Sequence, residues 1–163
     1  MNHTASRKRI LAIAPSTRGF GYCIMEDQTM LECGYKGATG DKNAHSRGKI
    51  EKLMKRYLPS TLILQDVNVK VKGCSRAPRI RILHRQLVSL AKTQKCKVVL
   101  FSGKKLRASL LGDANGTRHE MAEVLVKKFP ELAAKLPPKR RAWESENRRM
   151  DLFDAVGLAV VFW

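Results

Sequence analysis

The chain is poor in the residues that mark metal-bound, disulfide-linked or membrane-spanning proteins. Its four cysteines show no Cys-x-x-Cys spacing and no paired histidines, so neither a zinc site nor a disulfide framework is indicated. No apolar run approaches the roughly 20 residues of a membrane span. Repeats and low-complexity tracts are also missing. These absences favour a globular protein of a reducing compartment.

Acidic residues are scarce relative to basic ones. Fourteen Asp and Glu stand against 32 Lys and Arg, which gives a formal net charge of +18. An excess of this size in a folded domain is typical of a protein that neutralises the phosphates of a nucleic acid. A membrane surface fits less well, because no basic amphipathic helix with aromatic anchors is present. We therefore expect a nucleic-acid partner and no membrane.

The order of apolar patterns predicts a single α/β domain spanning residues 1–163, with a flexible basic segment at 1–8. Period-two and fully apolar runs predict strands at 10–14, 20–25, 30–34, 61–67 and 97–101. Helical periodicity predicts helices at 44–57, 79–94, 104–111, 117–129 and 148–162. In the second helix, Ile82 and Leu83 are among the residues expected to point inward. The pattern describes a mixed sheet with helices on both faces and is consistent with several α/β folds.

Three short segments could bring functional groups together. The first strand ends at Ala14, and Pro15, Ser16 and Thr17 form a turn before a second strand that contains Gly21-Tyr22. The fourth predicted strand carries Gln65 near its end. Near the carboxyl terminus, Asp151 and Asp154 are three residues apart and share one face of a helix. From these residues alone, a solvated Asp151 and an Asp154 paired with an arginine explain the two acids as well as a metal site does.

These segments, together with a helix start at 107–126 that contains Asn115-Gly116 and His119-Glu120, resemble the RuvC-type Holliday-junction resolvases of the RNase H-like superfamily. The resemblance covers nearly the whole chain. It implies a five-stranded mixed sheet of order 3-2-1-4-5 with strand 2 antiparallel and helices on both faces. It also implies an endonuclease of DNA recombination and repair that uses two Mg²⁺ ions to hydrolyse phosphodiesters in branched DNA. Asp151 and Asp154 match the family's acids on the last helix, which are metal ligands and catalytic residues.

The chain departs from the family at two of its four metal-ligand positions. Ala14 stands where the family has its first Asp, and Gln65 stands where it has a Glu. We expect Asp66 not to replace that Glu, because side chains alternate along a strand and Asp66 faces away unless a β-bulge re-aims it. With two carboxylates missing, we expect weak or no Mg²⁺ binding and almost no hydrolysis. Either an engineered, disabled nuclease or a natural non-catalytic DNA- or RNA-binding protein has this pattern.

Basic side chains flank the segments expected at the functional edge of the sheet. We predict that they contact phosphates together with the Ser16 and Thr17 turn. Aromatic residues are few, and Trp143 is the best candidate for stacking on a base. The expected partner is branched or duplex DNA, bound by a cytoplasmic, nucleoid-associated protein of bacterial, phage or mobile-element type, and the resemblance implies a homodimer. The predicted phosphate-binding basic residues are Lys70, Lys72, Arg76, Arg79, Arg81, Arg85, Lys104, Lys105, Arg107, Arg118, Arg140, Arg141 and Arg148.

Overall fold

A computed structural model describes residues 7–66, 78–141, 143, 144 and 147–163. In this part of the chain, five strands pair into one sheet with the order β3-β2-β1-β4-β5. The first three strands form an antiparallel meander, whereas β4 runs parallel to β1 and β5 runs parallel to β4. The strands are β1 (Arg9–Pro15), β2 (Gly19–Glu26), β3 (Thr29–Gly37), β4 (Thr61–Gln65) and β5 (Lys97–Phe101).

Helices connect and cover these strands. Several of them begin at capping residues that satisfy the free amides of the first turn. Asp41 caps α1, Ser102 caps α3, and Thr117 forms a capping box with Glu120 at the start of α4. The helices are α1 (Lys42–Tyr57), α2 (Pro78–Thr93), α3 (Gly103–Leu111), α4 (Arg118–Lys128) and α5 (Arg149–Phe162), with a short 3₁₀ helix at Pro130–Lys135.

Alternation along the central strands creates two cores. On one face, Ala12 and Ala14 of β1 and Ile63 of β4 pack with α3, α4 and α5. On the other face, residues such as Leu11 and Leu64 pack with α1 and α2. Helix α5 is buried along most of its length, which agrees with its almost uniformly apolar sequence. This helix brings its first turn to the sheet edge where β1 and β4 end.

The architecture confirms the predicted sheet order, the antiparallel β2 and the helices on both faces. One inward prediction was wrong: Ile82 is 45% exposed, because the buried stripe of α2 follows Ile80, Leu83 and Leu87 and leaves Ile82 beside it. The 3₁₀ helix was not predicted, and the predicted end of β4 at 67 lies outside the described residues.

The amino-terminal segment 1–8 was predicted to be flexible, and residues 1–6 of it lie outside the described residues. The described pair Arg7 and Lys8 is attached to the end of β2. Arg7 Nη1 donates to Glu26 Oε1 at 3.1 Å, and Asp27 N donates to Lys8 O at 2.8 Å. None of the helices in the described part of the chain has the length and apolar character of a membrane span.

Candidate metal and nucleic-acid site

The candidate site lies at the carboxyl ends of the two central parallel strands. Ile13 of β1 is aligned with Leu64 of β4, so Ala14 and Gln65 follow at neighbouring strand ends. Ala14 belongs to the core on the α5 face, and alternation along β4 puts Gln65 on that same face after Ile63. The two positions at which the chain departs from the RuvC pattern are therefore adjacent.

Helix α5 meets the sheet at Gly21, the residue paired with Ala14 across β1 and β2. A Cβ atom on Gly21 would lie 1.9 Å from the backbone oxygen of Asp151 and 2.6 Å from the nitrogen of Leu152. Only glycine permits this approach. The close packing places the first turn of α5, with Asp151, directly beside the Ala14–Gly21 pair.

The two acids of α5 share one arginine. Arg118 Nη2 lies 2.5 Å from Asp154 Oδ2 and 3.5 Å from Asp151 Oδ1, and Arg118 Nε donates to Asp154 Oδ1 at 3.3 Å. Asp154 thus accepts a two-point contact from the guanidinium. The structure therefore agrees with the alternative in which Asp154 pairs with an arginine, and it identifies that arginine as Arg118.

Asp151 is not a solvated first-turn acid, since it is only 8% exposed. Burial raises the pKa of its carboxyl to about 6, and the nearby Asp154 also raises it. The hydrogen bond with the Ser16 side chain and the charge of Arg118 act in the opposite direction. The β1–β2 turn and α4 therefore both contribute polar partners to this one buried acid.

The Gln65 side chain lies close to Gly103, the first residue of α3. A Cβ atom on Gly103 would lie 2.9 Å from Gln65 Nε2 and 3.3 Å from Arg107 Nη1. Arg107 is held in place because its Nε donates to the backbone oxygen of Ala114 at 2.7 Å. A neutral amide and a guanidinium therefore occupy the neighbourhood where the RuvC pattern places a carboxylate.

The residues at this site do not fit two Mg²⁺ ions. The Ala14 side chain offers no oxygen, the Gln65 side chain offers one neutral oxygen, and the two carboxylates are already engaged by Arg118. Among the residues that the structure describes, no group of three or more His, Cys, Asp or Glu side chains could hold a metal ion. Mg²⁺ prefers carboxylates with waters and phosphate oxygens in near-octahedral geometry, which this set does not provide.

Solved structures with a similar architecture include Holliday junction resolvases. Thermus thermophilus RuvC aligns with a TM-score of 0.68 and 12% identity, over 94% of this chain and 92% of that one. The same enzyme in complex with a Holliday junction substrate gives 0.70 and 11% over the same shares. The yeast mitochondrial Holliday junction resolvase Ydc2 gives 0.62 and 16%, over 96% of this chain and 78% of Ydc2. The chain has the RuvC-like RNase H fold. No protein-family model matches the sequence, and no curated protein matches it.

In this RuvC-like fold, some of the predicted phosphate-binding residues serve the scaffold. Arg79 Nη2 donates to the backbone oxygen of Ser16 at 3.0 Å, and its Nη1 donates to Asn43 Oδ1 at 2.9 Å. The backbone oxygen of Thr17 accepts from Lys42 Nζ at 3.0 Å. These contacts tie the β1–β2 turn to α1 and α2. Three further candidates, Lys70, Lys72 and Arg76, lie outside the described residues.

The other candidates lie at several places around the fold. Lys104 and Lys105 are exposed in the first turn of α3, just after β5 ends, and Lys105 Nζ lies 5.0 Å from the centre of the Phe101 ring. Arg148 is exposed immediately before α5, in the segment that leads to Asp151. Arg81 and Arg85 are exposed on α2, which packs on the opposite face of the sheet. Lys104, Lys105 and Arg148 therefore lie on elements that pack on the same face of the sheet as the acids, and Arg81 and Arg85 lie on a helix of the other face.

The segment before α5 also carries the predicted stacking residue. Trp143 is 78% exposed, and the Arg141 guanidinium lies 5.6 Å from the centre of its ring. Arg140 Nη1 donates to the backbone oxygen of Glu144 at 2.8 Å, and Arg141 N donates to Glu144 Oε2 at 3.0 Å. The tryptophan is therefore displayed on a short turn with basic neighbours, an arrangement suited to stacking on an unpaired base.

Sequence reasoning did not find two features of this site. Arg118 was assigned to phosphate binding, but it lies on the carboxylates, because the packing of α4 against α5 brings its guanidinium there. The second feature is the close approach of α5 at Gly21. The signal in the sequence was a glycine in a buried strand, which is equally typical of a β-bulge or a tight bend and therefore did not single out a helix contact.

Proposed function

We propose that the chain is a structure-specific DNA-binding protein that recognises branched DNA at this sheet edge without hydrolysing it. The observation that carries the proposal is the convergence of four segments on one edge. The ends of β1 and β4, the first turn of α5 and the basic start of α3 all lie there. T. thermophilus RuvC, which has the same fold, was solved in complex with a Holliday junction substrate.

The chemistry of the site supports binding without cleavage. Two-metal hydrolysis requires carboxylates that bridge and orient both ions beside the scissile phosphate. Ala14 and Gln65 remove two negative charges from that set, and Arg118 adds a positive one. Each 1.36 kcal/mol of lost transition-state stabilisation lowers the rate about tenfold, so losing metal stabilisation of several kcal/mol removes orders of magnitude.

The net charge of +18 supports a phosphate-rich partner. Exposed lysines and arginines at the edge, such as Lys104, Lys105 and Arg148, would release counterions from DNA on binding. A branched molecule offers phosphates from two duplex arms at once, so a convergent basic edge gains more contacts on it than on a single duplex.

We propose a homodimer on the junction, because the two-fold symmetry of a four-way junction matches a two-fold symmetric pair of subunits. Sedimentation with and without the junction measures this.

The test is an equilibrium binding assay on a synthetic four-way junction and on a duplex of the same length and base composition. Fluorescence anisotropy at several salt concentrations gives both the affinities and the salt slopes. The chain should prefer the junction by about tenfold or more, a difference of ~1.4 kcal/mol. Equal affinity for the two DNAs at every salt concentration would reject structure-specific binding.

A pair of lysine variants tests which surface carries the DNA. Lys104→Gln with Lys105→Gln should weaken junction binding and lower the salt slope by about 2, since each lost phosphate contact contributes about one unit. Lys127→Gln with Lys128→Gln is the matched control, because this adjacent lysine pair is exposed in the last turn of α4. An equal loss for both pairs would show that binding depends on overall charge and not on this edge.

The second candidate function is RNA binding on the same basic edge. An RNA/DNA hybrid and a single-stranded RNA in the same assay distinguish it, because a preference for either over the junction would favour the RNA function.

Restoring acids with Ala14→Asp and Gln65→Glu separates nuclease ancestry from a pure binding module. Junction-specific nicking that requires Mg²⁺ or Mn²⁺ would support the ancestry, and binding without nicking would favour the module.

A further inference from the structure

The ion pair between Arg118 and the two acids of α5 lies where the RuvC pattern would place a metal ion. Both oxygens of Asp154 contact the guanidinium, and Asp151 Oδ1 lies 3.5 Å from Nη2. Ser16 is a further partner of Asp151. A cation that bound both carboxylates directly would therefore have to displace the Arg118 side chain.

Arg118 is held in position by the helix on which it lies. It is the first residue of α4, whose capping box between Thr117 and Glu120 satisfies the free amides of the first turn. The buried residues Ala122 and Leu125 of the same helix pack in one core with α5. The guanidinium is therefore presented to α5 by two packed helices and not by a mobile loop.

A cation from within the chain also compensates the two carboxylates in part, without a metal. Two carboxylates at the edge of a buried helix face are costly unless a cation or hydrogen-bond donors compensate them. In a two-metal site the ions supply that compensation. Here the guanidinium, with its fork of N–H donors, supplies it from within the chain. The Asp151 side chain is 12% exposed and that of Asp154 is 21% exposed, so water contributes little.

We propose that Arg118 is a built-in counter-ion that replaces the divalent cation at this site and excludes Mg²⁺ and Mn²⁺ from the carboxylate pair. Arg118 is a positioning residue, because it keeps Asp151 and Asp154 in place and touches no reacting group. The inference rests on the proposed loss of metal chemistry, but it makes no use of DNA binding. It predicts that the carboxylates regain metal affinity when the arginine is removed.

The test is a Mn²⁺ titration of the full chain, followed by the electron paramagnetic resonance signal of free Mn²⁺. Arg118→Gln should bind Mn²⁺ at least about tenfold more tightly than the unsubstituted chain. Arg47→Gln is the matched control, since it removes the same charge from an exposed position on α1. Adding Asp154→Asn to Arg118→Gln should abolish the gain. If Arg118→Gln binds no more tightly than Arg47→Gln, the inference is wrong.

If Arg118→Gln fails to fold, melting temperatures of chains that retain Arg118 still test the inference. The melting temperature of the unsubstituted chain should not change on adding Mg²⁺ or Mn²⁺, and Asp154→Asn should lower it equally with and without metal. A metal-dependent rise that disappears in Asp154→Asn would overturn the inference. The junction assay separates this inference from the proposed function, because preserved junction binding alongside Mn²⁺ binding by the unsubstituted chain would reject only the counter-ion role.

Discussion

Replacing Gly21 with alanine tests the packing that brings the acids to the sheet edge. Gly21 pairs with Ala14 in the β1–β2 ladder, and the first turn of α5 lies directly on it. The added methyl group would lie 1.9 Å from the oxygen and 2.1 Å from the carbonyl carbon of Asp151. Both are backbone atoms, so no rotamer change can relieve the overlap.

The expected cost follows from what must move. Overpacking a core with one methylene typically costs 1–3 kcal/mol when side chains can adjust. Here α5 itself must shift away from β2, and its other contacts with the sheet through Phe153 and Val156 must loosen with it. We therefore expect Gly21→Ala to destabilise the fold by about 3 kcal/mol or more, a large fraction of the 5–15 kcal/mol that stabilises a typical domain.

Urea denaturation followed by far-ultraviolet circular dichroism measures this effect. Gly37→Ala is the matched control, because Gly37 is also a strand glycine and a Cβ atom there would meet nothing within 4 Å. Gly37→Ala should change the free energy of unfolding by less than about 0.5 kcal/mol. A Gly21→Ala variant as stable as the Gly37→Ala variant would refute the close packing of α5 on β2.

Three further substitutions have defined expectations. Thr117→Ala removes the N-cap of α4 and should cost about 1 kcal/mol in the free energy of unfolding, whereas an unchanged urea midpoint would contradict the cap. Hydrogen bonds from Tyr57 and Tyr22 lower the pKa of Glu32, so the stability that its carboxylate adds is present at neutral pH and is lost as the pH falls. Glu32→Gln should make the free energy of unfolding depend less on pH on the acid side. An unaltered acid profile would argue against this network. Burial raises the pKa of Asp151 to about 6, because the buried site favours the protonated carboxyl. The fold is therefore most stable with respect to this group below pH ~4, and that stability is lost as the pH rises through 6 and the carboxyl ionises. Asp151→Asn should match the unsubstituted chain at pH 4 and exceed its stability by about 2 kcal/mol at pH 8, and a less stable variant at pH 8 would contradict this sign.

Local patterns predicted most of the strands and helices, whereas the order of the strands was implied by the resemblance. The apolar runs of β1 and β4 indicated buried strands, and the spacing of Thr117 and Glu120 indicated the start of α4. The exceptions depend on tertiary context. Ile82 lies beside the buried stripe of α2, and a helical repeat alone does not determine where the edge of that stripe falls.

The site was harder to predict, because its contacts join residues far apart in the chain. The positions of Ala14, Gln65 and the two acids could be proposed from their order and from the resemblance. The partner of Asp154 could not, since 32 lysines and arginines compete for 14 acids and sequence separation gives no ranking. Only the packing of α4 on α5 selects Arg118, which is 36 residues from Asp154.

The most direct test of the account incubates the unsubstituted chain with a labelled four-way junction and Mg²⁺ and examines both the complex and the DNA. We expect a stable junction complex, affinity for the junction about tenfold or more above that for the matched duplex, and intact DNA strands after the incubation. Mg²⁺-dependent nicking of the junction would contradict the loss of metal chemistry, and equal binding of junction and duplex would contradict recognition of branched DNA.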